Sequence, residues 1–170
     1  MQRYVTADSS GNILSIGYGP TVPPGAFPSP PLSGEEMTGW MVVNGVVTEK
    51  IAWAQTQQIA NVIYPGYLAA NAADISFTDA AGVTDTYQAD PTSVAYLNNC
   101  LSAFRAAAAV PSGFYWRSAT NNNNAFTYTD LVNLAAAMAN RGFANFAQLQ
   151  TLKADVMAAT TVSAVQAVVW

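Results

Sequence analysis

The stretch ISFTDAAGVTDTYQADPTSVAYLNNCLSAF, residues 75–104, sets a strand pattern beside a helix pattern. In its first half Ile75 and Phe77 fall on one face and Asp79-Ala80-Ala81-Gly82 supplies turn residues, so residues 75–88 read as a β-hairpin. Asp90-Pro91 then opens a helix: Asp90 is the N-cap, and Pro91 occupies the first helical position, where its missing N–H costs no hydrogen bond. Val94, Leu97, Leu101, Phe104 and Ala108 follow at helical spacing. That stripe either packs on the chain's own sheet or forms a short seam between subunits. A hairpin next to a helix of similar length predicts an α+β fold.

Upstream, QRYVTA and NILSIGYG flank the turn cluster Asp8-Ser9-Ser10-Gly11, and the alternation of Tyr4 and Thr6 with Val5 and Ala7 predicts a first hairpin. Residues 19–34, GPTVPPGAFPSPPLSG, carry six prolines (Pro20, Pro23, Pro24, Pro28, Pro30 and Pro31). Prolines fix φ and remove donors, so this segment is expected to be an extended, stiff arm or spacer. An SH3-type ligand is the weaker reading, because no paired basic residue accompanies the prolines. Asn44-Gly45 between apolar runs marks another hairpin. From Glu49 to Ala72 the pattern is helical through Ile59, Val62, Ile63 and Tyr67, with Pro65-Gly66 expected to break or kink it.

Downstream, Phe114-Tyr115-Trp116-Arg117 reads as a short strand or edge, and the run Asn121 to Asn124 as a turn entering a helix. Thr127-x-x-Asp130 resembles a capping box, with Asp where Glu or Gln is usual. Leu131, Leu134, Ala135 and Met138 form the inward face of the helix it starts, and Gly142 is expected to stop it. A separate helix is expected over residues 143–158, with Phe146, Leu149, Leu152 and Val156 inward. Thr160-Thr161 caps a last short helix carrying Val162, Val165 and Val169, and the chain ends at Trp170.

The chain has 170 residues, suiting one domain of ordinary size, and its 51% apolar share suffices for a core. Only 9% of residues are charged, against about 25% in an average globular chain. A surface of Ser, Thr, Asn, Gln and Ala suits burial in an assembly, and a plain Ala-rich domain gives the same composition. Arg3, Lys50, Arg105, Arg117, Arg141 and Lys153 are dispersed and the net charge is −4, which argues against nucleic-acid binding. The opening MQRYVTADSS lacks the apolar core of a secretory leader, and no apolar run is long enough for a membrane span.

With no histidine, the usual general base and the commonest metal ligand are missing. The carboxylates Glu35, Glu36, Glu49, Asp74, Asp79, Asp85, Asp90, Asp130 and Asp155 are scattered where turns and caps want them. Asp79 and Asp85, if opposed in the hairpin, would repel weakly rather than catalyse. The run GNILSIGYG has the wrong spacing for a phosphate loop, and Asp74, Asp79 and Asp85 do not fit an EF-hand. Cys100 is a buried inert thiol or, less in keeping with its helix, a reactive one. Trp116, Tyr115 and the Asn run could bind sugar, although buried aromatics have the same signature. No catalytic, cofactor-binding or metal residues are therefore assigned, and the chain is not expected to be an enzyme.

ISFTDAAGVTDTYQADPTSVAYLNNCLSAF together with GFYWRSATNNNNAFTYTDLVNLAAAMANRGFANFAQLQTLKADVMAATTVSAVQAVVW resembles a domain of unknown function found in phage and prophage tail-fibre-associated and tail-fibre-assembly proteins. Its marks are Trp116-Arg117, the Asn run, Phe126-Thr127-x-x-Asp130-Leu131, Leu152-Lys153 and Trp170. The resemblance covers residues 73–170 and implies phage origin and a tail role, with no reaction attached. Three segments are expected: N-terminal hairpins and a Pro-rich attachment arm over residues 1–48, a helical connector over 49–72, and a tail-associated domain over 73–170, in which a β-hairpin packs with a small helical domain. The expected function is that of a virion structural protein located in the phage tail after assembly in the host cytoplasm. Its expected partners are other tail or fibre proteins and copies of itself, with neither nucleic acid nor membrane insertion, and host attachment is a further expected role. A tail-fibre assembly chaperone that leaves the particle is the alternative.

Overall fold

A computed structural model describes residues 1–30 and 35–170. The architecture is mixed α+β, with antiparallel hairpins at the N-terminus, small two-stranded sheets further on, and a long helix near the C-terminus. Two compact units divide the chain: residues 1–63 with 152–170, and residues 64–151.

In the first unit β1 (Gln2–Ala7) pairs antiparallel with β2 (Ile13–Gly19), Val5 facing Ile16 across the ladder. Asp8 shapes the turn: its carboxylate accepts from the backbone N–H groups of Ser10 and Asn12, both at 2.9 Å, and from the Asn12 amide. A third strand, β3 (Phe27–Pro28), lies on the other side of β1, with Pro28 opposite Tyr4. The Pro-rich segment is therefore no free arm over its described part. Phe27 joins the core around Val5 and Val47, and the Ser29 N–H donates to the Arg3 carbonyl. Pro28 is tolerated because β3 is an edge strand, where a missing donor breaks no interior ladder. Residues 31–34 of that segment lie outside the described residues.

A 3-10 turn (Glu35–Gly39) leads into the hairpin of β4 (Trp40–Val43) and β5 (Val46–Glu49). Its tip, Asn44-Gly45, has φ of 50° and 80°, the left-handed pair that a tight hairpin requires. Glu49 is thus the last residue of a strand, and helix α1 (Ile51–Gln58) starts after it. A π-helical turn (Ile59–Ile63) and helix α2 (Tyr64–Ala72) continue the path. Pro65 changes the helix without ending it. Its ring would collide with the Asn61 carbonyl in regular α geometry, and Asn61 lies in the π turn, where the hydrogen-bond register is different. Val62 is exposed and Ile63 fully buried, so the inward stripe is narrower than the sequence pattern.

The C-terminal residues fold back on α1. Helix α5 (Val162–Ala167) packs against it, N-capped by the Thr161 hydroxyl, which accepts from the Ala164 N–H. The Gln58 amide donates to the Val168 carbonyl at 2.6 Å, and the Gln55 amide donates to the carbonyls of Val156, Met157 and Ala159. These contacts satisfy carbonyls at a helix end, which otherwise lack partners.

The second unit holds the hairpin of β6 (Ile75–Thr78) and β7 (Thr84–Tyr87), helix α3 (Pro91–Phe104), and the short hairpin of β8 (Tyr115–Arg117) and β9 (Asn123–Ala125). Helix α4 (Tyr128–Ala158) begins here. Asp90 caps α3 as expected, accepting from Thr92 N–H and Ser93 N–H. Leu97 and Cys100 of α3, Tyr87, Trp116, Phe126, Leu131 and Leu134 make one core, so the α3 stripe is used within the chain. Ala108 falls beyond the helix, exposed and at φ 46°, and is not part of the stripe.

Gly142 does not stop α4, which runs unbroken for 31 residues. Residues near it are held from the side: Arg141 donates to the carbonyls of Asn71, Ala73 and Asp74, fastening the end of α2. Phe146, expected inward, is about half exposed, whereas Leu149 and Val156 are buried. Among the described residues no helix is long and apolar enough to cross a membrane.

Gly142→Ala is expected to stabilise the protein by about 0.5–1 kcal/mol in urea titration, because Ala is the better helix former. The new methyl carbon would meet only Asn71 Oδ1, at an ordinary 3.9 Å. A helix-ending glycine with positive φ would give the opposite sign. Leu134→Ala, at a fully buried site, should cost about 2–5 kcal/mol in the same titration.

Candidate functional site

The carboxylates belong to turns, caps and strands rather than to one cleft. Asp79 accepts from the Val83 N–H within its own turn, and Asp85 stands on β7 opposite Phe77, so the two acids are not cross-strand partners. Glu35 and Glu36 belong to the 3-10 turn, and their side chains lie outside the described ones. Among the described residues no group of three or more Cys, Asp or Glu side chains gathers around a possible metal position.

Asp85 explains the Asn run. Asn122 and Asn124 each donate a side-chain amide to Asp85 Oδ2, at 3.0 and 3.1 Å, while the Thr120 hydroxyl and the Thr86 N–H reach Oδ1. The Asn122 amide above all, then the Thr86 N–H and the Asn124 amide, hold this carboxyl well below the usual carboxylate range. Asn124 also donates to the buried Tyr87 hydroxyl at 2.8 Å. Asn121, at φ 67°, makes the turn, and Asn123 and Asn124 are strand residues rather than a helix entry. The run therefore clamps β7 to the β8–β9 hairpin.

Asp130 does the same for α4. Its Oδ2 accepts from the Thr127 N–H and hydroxyl, the Thr127 hydroxyl oxygen accepts from the Asp130 N–H, and its Oδ1 accepts from the Ala80 N–H at 2.8 Å. The capping box thus closes with Asp and also grips the tip of the β6–β7 hairpin. Only 2% of Asp130 is exposed. Burial pushes its carboxyl up, yet the Thr127 hydroxyl, the Thr127 N–H and the Ala80 N–H together hold it below the ordinary value.

An open surface cleft lies elsewhere. Gln88, Thr92, Ser93, Tyr96, Tyr115, Trp116 and Arg117 line a cleft of about 360 Å³. Trp116 is buried against Phe126 and stacks on Tyr96, ring centroids 5.3 Å apart and planes 25° from parallel. Along β8 Trp116 is buried, whereas Tyr115 and Arg117 are exposed. The Asn run is not in this cleft, since the amides of Asn122 and Asn124 point to Asp85. The grouping of Trp116 and Tyr115 with those asparagines is thereby dissolved. The helical periodicity does not point to the cleft-lining Tyr96 and Thr92, because both lie off the apolar stripe of α3. Their signal was an aromatic and a hydroxyl one helical turn apart, off that stripe. A second, apolar groove of about 390 Å³ runs along Leu68, Val94, Leu97 and Met138.

A family model described as a domain of unknown function, DUF4376, matches residues 47–169. The chain belongs to the DUF4376 family. The match begins within β5 and includes both the Asn clamp and the aromatic cleft of this DUF4376 domain. The family description names no activity, ligand or partner. No curated protein and no solved structure matches the chain.

Asp130→Asn should cost about 2–3 kcal/mol, since one amide oxygen cannot replace a carboxylate that accepts from three donors. The pH dependence has a definite sign. A carboxyl held low in the folded state contributes its full stability well above the unfolded value near 3.8, and loses it as pH falls through the folded value. Acid unfolding of the parent should therefore steepen below about pH 4, and Asp130→Asn should flatten that slope in thermal melts across pH.

Proposed function

We propose that this chain is a non-enzymatic structural protein of a bacteriophage virion, a tail or tail-fibre component. It binds other tail proteins and further copies of itself, and it contributes to host attachment. The observation that carries the protein-binding reading is a stripe on α4. Val132, Ala136, Phe143 and Phe146 share one side of the helix and are exposed, Phe143 by 77%. With few charges on the chain, burying such a face strips little bound water from ions. The tail assignment itself comes from the resemblance of residues 73–170 to tail-fibre-associated proteins. Incorporation would place the protein in the virion after assembly in the host cytoplasm.

The same stripe suits a tail-fibre assembly chaperone that is not retained, because a transient partner covers apolar side chains equally well. Mass spectrometry of purified particles separates the two. The virion reading expects the protein at stoichiometric level, and the chaperone reading expects it in infected cells but not in particles. Phe143→Ser with Phe146→Ser should lower stability by no more than about 1–2 kcal/mol, because only Phe146 is half-buried, while sharply reducing incorporation. Normal incorporation of that double variant would remove the stripe from the attachment surface.

A further inference from the structure

We propose that the cleft between α3 and β8 binds a pyranose sugar. Three observations lead there. First, the cleft offers aromatic surface to solvent: Tyr96 is 59% exposed and Tyr115 54% exposed. Tyr96 is fixed by its stack on buried Trp116 and by its neighbour Cys100, whose thiol pushes the Tyr96 hydroxyl pKa up. A rigid aromatic face fits the C–H face of a sugar ring and loses little entropy on binding.

Second, the polar groups around that face are unengaged. Among the described residues the side chains of Gln88, Thr92, Tyr115 and Arg117 make no hydrogen bond or ion pair within the chain, although all four line the cleft. Ser93, by contrast, is already committed to Asp90. Gln88, Thr92 and Tyr115 each offer both a donor and an acceptor, and Arg117 offers donors alone. A polyhydroxylated ring presents the matching mixture.

Third, size and charge exclude the main competitors. A volume of about 360 Å³ lies at the lower end of the ~300–1,000 Å³ typical of small-ligand sites. A stacked nucleotide would bring phosphate charge to a cleft where, among the described residues, Arg117 is the single cation, in a chain of net charge −4. A polyproline peptide would stack on the tyrosines but offers carbonyls only. The acceptors of Gln88, Thr92 and Tyr115 would then find no N–H to meet.

Sugar binding is measured on the purified full chain, so its outcome is independent of incorporation into particles. Isotope-labelled protein is titrated with methyl pyranosides of glucose, galactose, mannose, N-acetylglucosamine and glucuronic acid, each in turn. At least one should produce saturable shifts, with a millimolar dissociation constant, confined to Gln88, Thr92, Tyr96 and Tyr115 to Arg117, including the Trp116 indole N–H. Tyr115→Ala and Arg117→Gln should each weaken binding about tenfold or more, whereas Asn123→Ala, across the ladder from Arg117, should leave it unchanged. Both cleft substitutions fall at exposed positions, and thermal melts check that the fold survives. The proposal is overturned if no sugar gives saturable shifts, if the shifts map elsewhere, or if the two variants bind as the parent does. Saturable binding of a proline-rich peptide with no response to any sugar also overturns it.

Discussion

Asp130 is an ionised group placed where water cannot reach it, and the surrounding chain is arranged around that fact. An unpaired charge in such a position would be far too costly to keep, so its two oxygens are matched by donors from two separate elements. Thr127 supplies the helix start, and Ala80 supplies the hairpin tip. One carboxylate thus sets where α4 begins and where the β6–β7 hairpin sits against it. Leu131 and Leu134, just inside the helix, are carried to the aromatic core by the same placement.

Asp85 repeats the device at the surface. Its acceptors gather Thr120, Asn122 and Asn124, three neighbours from one loop and strand, so a short two-stranded hairpin gains an anchor that its own ladder could not supply. With β8 held, Trp116 is pressed against Phe126 on one side and Tyr96 on the other. The consequence for function is geometric. The aromatic cleft is built on a strand and a helix that are both pinned, and its exposed Tyr96 ring is held by the stack on Trp116.

The scarcity of charge links this interior to the surface. With few ionic side chains available, polar work inside the chain falls to Asn, Gln and Thr amides and hydroxyls, as the clamp on Asp85 and the bonds from Gln55 and Gln58 illustrate. One exposed stripe of α4 is apolar, with Phe143 and Phe146 facing solvent. That combination is what the proposed role in an assembly rests on.

Local chemistry settled much of this protein from the sequence. The hairpin turns at Asp8, Asn44-Gly45 and Asp79 and the caps at Asp90, Thr127 and Thr161 all follow from neighbours within a few residues, whose interactions do not depend on the rest of the fold. Where distant residues compete with a local preference, the sequence was silent or misleading. Gly142 favours a helix end, but α4 continues past it, with Arg141 tied to Asn71, Ala73 and Asp74. Pro28 favours a free extended arm, yet an open edge beside β1 and an apolar pocket for Phe27 draw it into a sheet. The partners of the Asn run and the members of the cleft were invisible for the same reason: Asp85 and Asn124, or Tyr96 and Trp116, meet only when α3 and the two hairpins close on one core, a long-range packing that no local pattern encodes.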